Sequence, residues 1–226
     1  MEFPELINRL ESYGTEQNRK IYRRHGAGEN LYGVSTANLK QLKKEIKQDQ
    51  ALAEQLWGTG NYDARILATM IADPKQMQPE LLEKWVQEDR SYPVLDALAA
   101  LAAKLPDPTV WIDEWTSSDD EWIGYAGWHL LAQVATHDKK YPDDYFAPFL
   151  SNIETTLQTS KNRTKHGMNN ALIAVGLRSE ALEAEAVRIA KSLGKVVVDH
   201  GETDCKTPDA IAYIEKTKAR RAKSKQ

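Results

Sequence analysis

Apolar residues recur at helical spacing in almost every segment of this chain, and the segments come in pairs. In SYPVLDALAALAAKL the stripe is Val94, Leu98, Leu101 and Leu105, and DPTVWIDEWTSS follows as its partner. DDEWIGYAGWHLLAQVATH pairs with YPDDYFAPFLSNIETTLQTS, and NRTKHGMNNALIAVGL with SEALEAEAVRIAKSLGKV. The first helices of the pairs begin near Asn61, Ser91, Asp119 and Asn162, at intervals of 30, 28 and 43 residues. No stretch alternates as a half-buried strand does. Helix pairs at such a period predict an all-α fold, a right-handed α-solenoid or superhelix of HEAT-like, armadillo-type repeats. A non-repeating helical bundle is the alternative. At 226 residues the chain is long enough to fold as a single domain, 1–226, around a sizeable core.

Caps and breakers place the elements. Ser35 is positioned to cap a helix running through Leu39, Leu42 and Ile46. Asn61 opens a helix that stops at Asp73-Pro74, and Pro79 sits in the first turn of the next one. Residues 195–208, KVVVDHGETDCKTP, read as a polar loop, with Val196 to Val198 the one plausible extended run. Thr207 is the expected cap of a last helix that packs through Ile211 and Ile214, and 216–226 reads as a basic, frayed tail.

Charge is distributed unevenly. Residues 51–120 hold five Lys/Arg against thirteen Asp/Glu, whereas 206–226 hold seven against two. A basic end suits phosphates, because each one neutralised releases counterions; a solubilising terminus is the alternative reading. No apolar run approaches the ~20 residues that span a bilayer, and MEFPELINRL has no secretory signal pattern. The single cysteine, Cys205, excludes an internal disulfide and a cysteine-rich zinc site. The expectation is a cytoplasmic monomer with no membrane partner, no cofactor and no metal.

Several side-chain groups carry chemistry. Asp96 leads a helix face otherwise made of Ala99, Ala100 and Ala103, small enough for a neighbouring helix or a ligand to approach closely. In the first turns of a helix a carboxylate is also favoured by the dipole alone. Trp122, Tyr125 and Trp128 share a face beside His129, as core or as an aromatic wall. Lys165, His166, Asn169 and Asn170 bring polarity into one helix, and adjacent asparagines there need a loop or a ligand to satisfy their amides. The DHGETDCK segment offers His200 and Glu202 as a hydrolase-like minority site or as a hydrogen-bonded loop docked on the Asn169-Asn170 helix. Arg19, Lys20, Arg23 and Arg24 around Tyr22 form a basic patch interleaved with an aromatic, suited to a phosphate backbone or to solvent.

The segments YGVSTANLKQLKKEI, LAEQLWGTGNYDARILATMIADP and YPVLD resemble the AlkD-like DNA alkylation repair proteins, over most of residues 15–190. The resemblance implies a HEAT-like repeat fold, binding to double-stranded DNA and excision of cationic N3- or N7-alkylated purines. It makes Asp96 the carboxylate that stabilises the oxocarbenium-like sugar. Tyr22, Arg23, Arg24 and Tyr92 then face DNA, with Trp122, Tyr125 and Trp128 as an aromatic wall. Lys165, His166, Asn169, Asn170, His200 and Glu202 become a polar site in the groove. Two positions depart from the family pattern. Gly124 and Tyr125 stand where it carries an arginine pair, and Asn169-Asn170 where a tryptophan would fall. A divergent solenoid that binds a protein or another charged ligand is the alternative function.

Overall fold

A computed structural model describes residues 1–223, and every described element is helical. By contact the chain divides into two compact units, residues 1–107 with 201–203 and residues 108–200 with 204 onwards.

The first unit holds α1 (Phe3–Tyr13), α2 (Glu16–Arg24), α3 (Thr36–Ile46), α4 (Gln50–Gly58), α5 (Tyr62–Ile71), α6 (Pro79–Glu88) and α7 (Tyr92–Ala102). Ser35 and Asn61 cap as the sequence predicts, Ser35 accepting from Asn38 N and Asn61 from Asp63 N and Ala64 N. α3, α5 and α7 pack side by side, α4 backs α5 and α6 backs α7, which is the alternation expected of helix pairs. On α7 the buried side is Val94, Leu95, Leu98, Ala99, Leu101 and Ala102, while Asp96 is half-buried. The only bridge among the described residues is the isolated pair Gly14–Val34.

The second unit holds α8 (Thr109–Thr116), α9 (Glu121–His137), α10 (Asp143–Thr156), α11 (Asn162–Gly176), α12 (Glu180–Leu193) and α13 (Ala210–Lys223). α9 and α11 lie against each other along their length. Small residues permit this: a Cβ on Gly167 would sit 3.0 Å from Trp128 Cβ, and one on Gly127 would sit 2.5 Å from Thr116 N on α8. Arg178 welds three turns together. It donates to the carbonyls of Ala135, Asp138 and Tyr141, pairs with Asp143 at 3.2 Å, and lies over the Phe146 ring.

Three local expectations are corrected. Residues 196–198 form no strand, because Val197 is 65% exposed and no neighbouring chain offers a ladder among the described residues. The last helix is capped by Asp209, which accepts from Ala212 N, since Thr207 is engaged with His200 instead. Its core contact is made by Ile214, fully buried, whereas Ile211 is only partly covered. The basic segment expected to fray is helical as far as Lys223, and the end of that segment lies outside the described residues.

Candidate nucleic-acid interface

The site in the first unit is built on one buried carboxylate. Asp63 has no solvent exposure, and its Oδ2 accepts from Tyr32 N at 2.7 Å and Gly33 N at 2.8 Å while Oδ1 accepts from Val34 N at 2.9 Å. Burial pushes its pKa up, and the three N–H donors pull it back. The bend it holds needs glycine: Gly33 has φ 80°, and a Cβ there would lie 2.6 Å from Thr15 O. Asn61 Nδ2 bonds Asn30 Oδ1 at 3.0 Å and Tyr62 N bonds Asn30 O at 2.9 Å, so the start of α5 fixes the whole segment after α2.

Onto this frame three tyrosines converge. Tyr22 from α2 donates its hydroxyl to Val34 O at 2.8 Å, and its ring lies 5.3 Å from that of Tyr62. Tyr92, the first residue of α7, shares a hydrogen bond with His25 Nδ1, the two rings 6.0 Å apart and edge-on. Burial raises the Tyr62 phenol well above its ordinary pKa, reinforced by Asp63, Tyr22, Tyr92 and Asp96. Asp96 therefore belongs to the same electrostatic neighbourhood as all three rings. Arg23 and Arg24 flank Tyr22 on the exposed side of α2, with Arg23 paired to Glu29 at 2.9 Å.

The entry of α7 is set from below. Trp57 and Trp85 stack at 4.3 Å with planes 4° apart, and the Arg65 guanidinium lies 4.8 Å above the Trp57 ring. Arg65 bonds Asp89 Oδ2 at 2.8 Å, and Asp89 Oδ1 accepts from Ser91 N at 2.7 Å. The LWGTGNYDAR stretch is thus a clamp that positions Tyr92 and Asp96. Tyr62, His25, Asp63, Arg65 and Asp89 carry no role in the sequence reading. The backbone partners of Asp63 lie 29 to 31 residues away and the Asp89 partner of Arg65 lies 24 away, so no local pattern reveals them.

The second unit disposes of the other candidates differently. Tyr125 and Trp128 are each 1% exposed, which corrects their assignment as DNA-facing: they pack inside, and only Trp122 is partly open. Gly124 is in contact too, since a Cβ there would sit 3.1 Å from Thr164 Oγ1. The His166 ring lies 6.0 Å from Tyr125 and 5.3 Å from His200. Burial and the nearby Arg163, His200 and His129 charges lower its pKa to about 4, burial contributing most. Asn162 and Asp199 exchange two hydrogen bonds, 2.7 and 2.8 Å, and Asn169 Nδ2 donates to Pro208 O at 3.1 Å. Asn169 engages the loop through this bond, and its Oδ1 is buried without a hydrogen bond. Lys165 and Asn170 are half-exposed, and Glu202 is exposed. Among the described residues no three His, Cys, Asp or Glu side chains converge as a metal set, and no helix is long and apolar enough to cross a membrane.

Comparison with known proteins bears on all of this at once. A family model described as DNA alkylation repair enzyme matches residues 6–214. An uncharacterized protein of Listeria innocua serovar 6a is 31% identical over 224 residues, covering 96% of this chain and 98% of that protein. An uncharacterized protein of Listeria monocytogenes serovar 1/2a is equally similar, 31% over the same length. One solved structure superposes with a TM-score of 0.91 at 33% identity, over 98% of this chain and 95% of that one. It is described as a new family of proteins related to the HEAT-like repeat DNA glycosylases with affinity for branched DNA structures. The all-α, HEAT-like repeat fold expected from the periodicity is the fold observed.

Proposed function

We propose, from the premise that this chain belongs to the DNA alkylation repair enzyme family, that it binds DNA through its first unit and prefers branched structures, without excising a base. The observation that carries this reading is the fate of the two departures from the family pattern. Where the resemblance calls for an arginine pair, Gly124 packs on Thr164 and Tyr125 is buried. Where it calls for a tryptophan, Asn169 is buried and tied to Pro208. Both positions have become internal packing, so neither supplies a phosphate clamp or a ring to a damaged nucleotide. The solved relative's affinity for branched DNA supports the same reading.

The binding surface in this reading is Tyr22, Tyr92 and the exposed Arg23 and Arg24, with half-buried Asp96 at its edge. Aromatic faces stack on unpaired bases at a branch point, and guanidinium groups neutralise phosphates. Trp122 in the second unit is a further candidate for such stacking.

A second reading has its own support. Asp96 raises the pKa of the same Tyr62 phenol that Tyr22 and Tyr92 do, and a carboxylate close to electron-rich faces suits a cationic nucleotide whose glycosidic bond is breaking. Two measurements on one preparation separate the readings. Fluorescence anisotropy compares a four-way junction with a duplex of equal length, and single-turnover assays follow base release from N7-methylguanine DNA. The expected result is junction binding at least ~10-fold tighter than duplex, with release at the spontaneous rate. Asp96→Asn should then leave binding unchanged or tighten it, since it removes a negative charge beside the backbone. Release that collapses in Asp96→Asn would establish excision instead.

A further inference from the structure

At the other end of α7 lies a cavity of about 300 Å³ that neither reading uses. Four lysines line it: Lys43, Lys44 and Lys47 from the end of α3, and Lys104 just beyond α7. No aspartate or glutamate is among its lining residues, and all four lysines are exposed. Glu45, Asp49 and Asp73 stand beside these residues in the sequence, yet none of them lines the opening.

Helix C-termini attract cations, which accounts for one or two lysines in the last turn of α3. It does not account for ammoniums from two separate helices gathered around one opening, where their mutual repulsion opposes folding. Nor does it account for the backbone of Lys47. This is the only non-glycine residue among those described with positive φ, at 69° with ψ −110°. Glycine is the ordinary residue for such a helix end. A side chain kept in strained backbone geometry is a mark of a position held for use.

We infer that this four-lysine cavity is a second DNA-backbone site, which holds the phosphates of the strand continuing away from the tyrosine cluster into the adjoining arm. The inference rests on the proposed DNA binding. α7 acts as the spacer. Asp96 lies six residues before the end of α7, about 9 Å along the helix, and Lys104 follows two residues beyond that end. At about 3.4 Å per phosphate on one strand, that is a run of at least about three nucleotides. A branched substrate whose strands bend away at the tyrosines would have its next phosphates at the lysines, whereas a free monophosphate would engage only part of the rim.

The test is a salt titration of binding to a fluorescently labelled four-way junction, wild type beside Lys43→Gln/Lys44→Gln/Lys47→Gln/Lys104→Gln. Thermal unfolding verifies that the variant is folded; with the repulsion gone, its midpoint should stay or rise. Each lost phosphate contact lowers the slope of log K against log salt by about 0.9 on duplex arms. The quadruple variant should therefore bind at least ~10-fold more weakly near 0.1 M salt, with a slope shallower by about 2 to 4. A double variant, Lys84→Gln/Lys139→Gln, controls for removing positive charge elsewhere and should change little. If wild type binds the junction and the quadruple variant matches it in affinity and slope, the lysine site is refuted and the DNA-binding reading stands. If wild type binds no DNA at all, the reading falls and the site with it.

Discussion

Asp63 shows what one side chain can decide. Its two oxygens hold three consecutive backbone N–H groups of a segment some thirty residues earlier. An asparagine is isosteric but presents an N–H₂ where one of the two acceptor oxygens is required, leaving at least Val34 N, which is buried, facing a donor. Asp63→Asn should therefore destabilise the protein by about 1–3 kcal/mol, the cost of one unsatisfied buried group. Urea unfolding should show a lower midpoint at unchanged m value; a shift under ~0.5 kcal/mol would mean that the bend holds itself. The same variant should weaken junction binding, because Tyr22 is anchored on Val34 O. In the sequence Asp63 is simply one letter of NYDAR. Its spacing to Asn61 marks a helix start, but nothing local points to its partners.

At the scale of elements, the helices meet through small residues and buried polar clamps. The small face of α7 is partly explained: Ala99 is fully buried in packing, while Asp96 stays half-exposed at the rim. In the second unit Arg178, its side chain 5% exposed, satisfies carbonyls at the end of α9 and in the turn leading into α10. Arg178→Ala would leave those carbonyls and Asp143 without their donor and open a void beside Phe146. A loss of about 2–4 kcal/mol is expected from the carbonyls left without a donor and the packing lost beside Phe146, read as a drop in thermal midpoint of the full chain. Arg178→Lys should recover little, because an ammonium cannot span the same carbonyls. Helix existence was legible from apolar spacing and caps. Which polar residues join the helices was not, because LRSEAL reads as an ordinary turn.

For the whole molecule, the histidines carry a pH dependence of stability. His166 titrates near 4 when folded, against about 6.5 when unfolded. Between those values the unfolded chain holds a proton that the folded chain refuses. Stability therefore falls as pH drops from about 6.5 towards 4, by on the order of 2 kcal/mol after allowing for the residue's remaining solvent contact. The charges facing His166 are Arg163 on its own helix, His129 on α9 and His200 in the loop. His166→Gln should flatten the difference between unfolding midpoints at pH 5 and pH 7.5; an unchanged difference would place the titration elsewhere.

The sequence by itself determined that this chain is helical, that its helices come in pairs at a HEAT-like period, and which family it resembles. Those properties follow from local rules, namely apolar spacing, N-caps at Ser35 and Asn61, and the prolines that open or close helices. It also singled out Tyr22, Tyr92 and Asp96. Tertiary structure alone decided which polar residues face outward. Tyr125 and Trp128 have the spacing of an aromatic wall, yet the glycines of α9 and α11 draw the helices together over them. Asn169 has the look of a ligand contact, yet the 195–208 loop reaches it first. Lys104 lies some sixty residues from Lys43, Lys44 and Lys47, and only the packing of α3, α5 and α7 brings it to the same opening. Periodicity reports which face of a helix is apolar; what covers that face depends on contacts between residues distant in the chain.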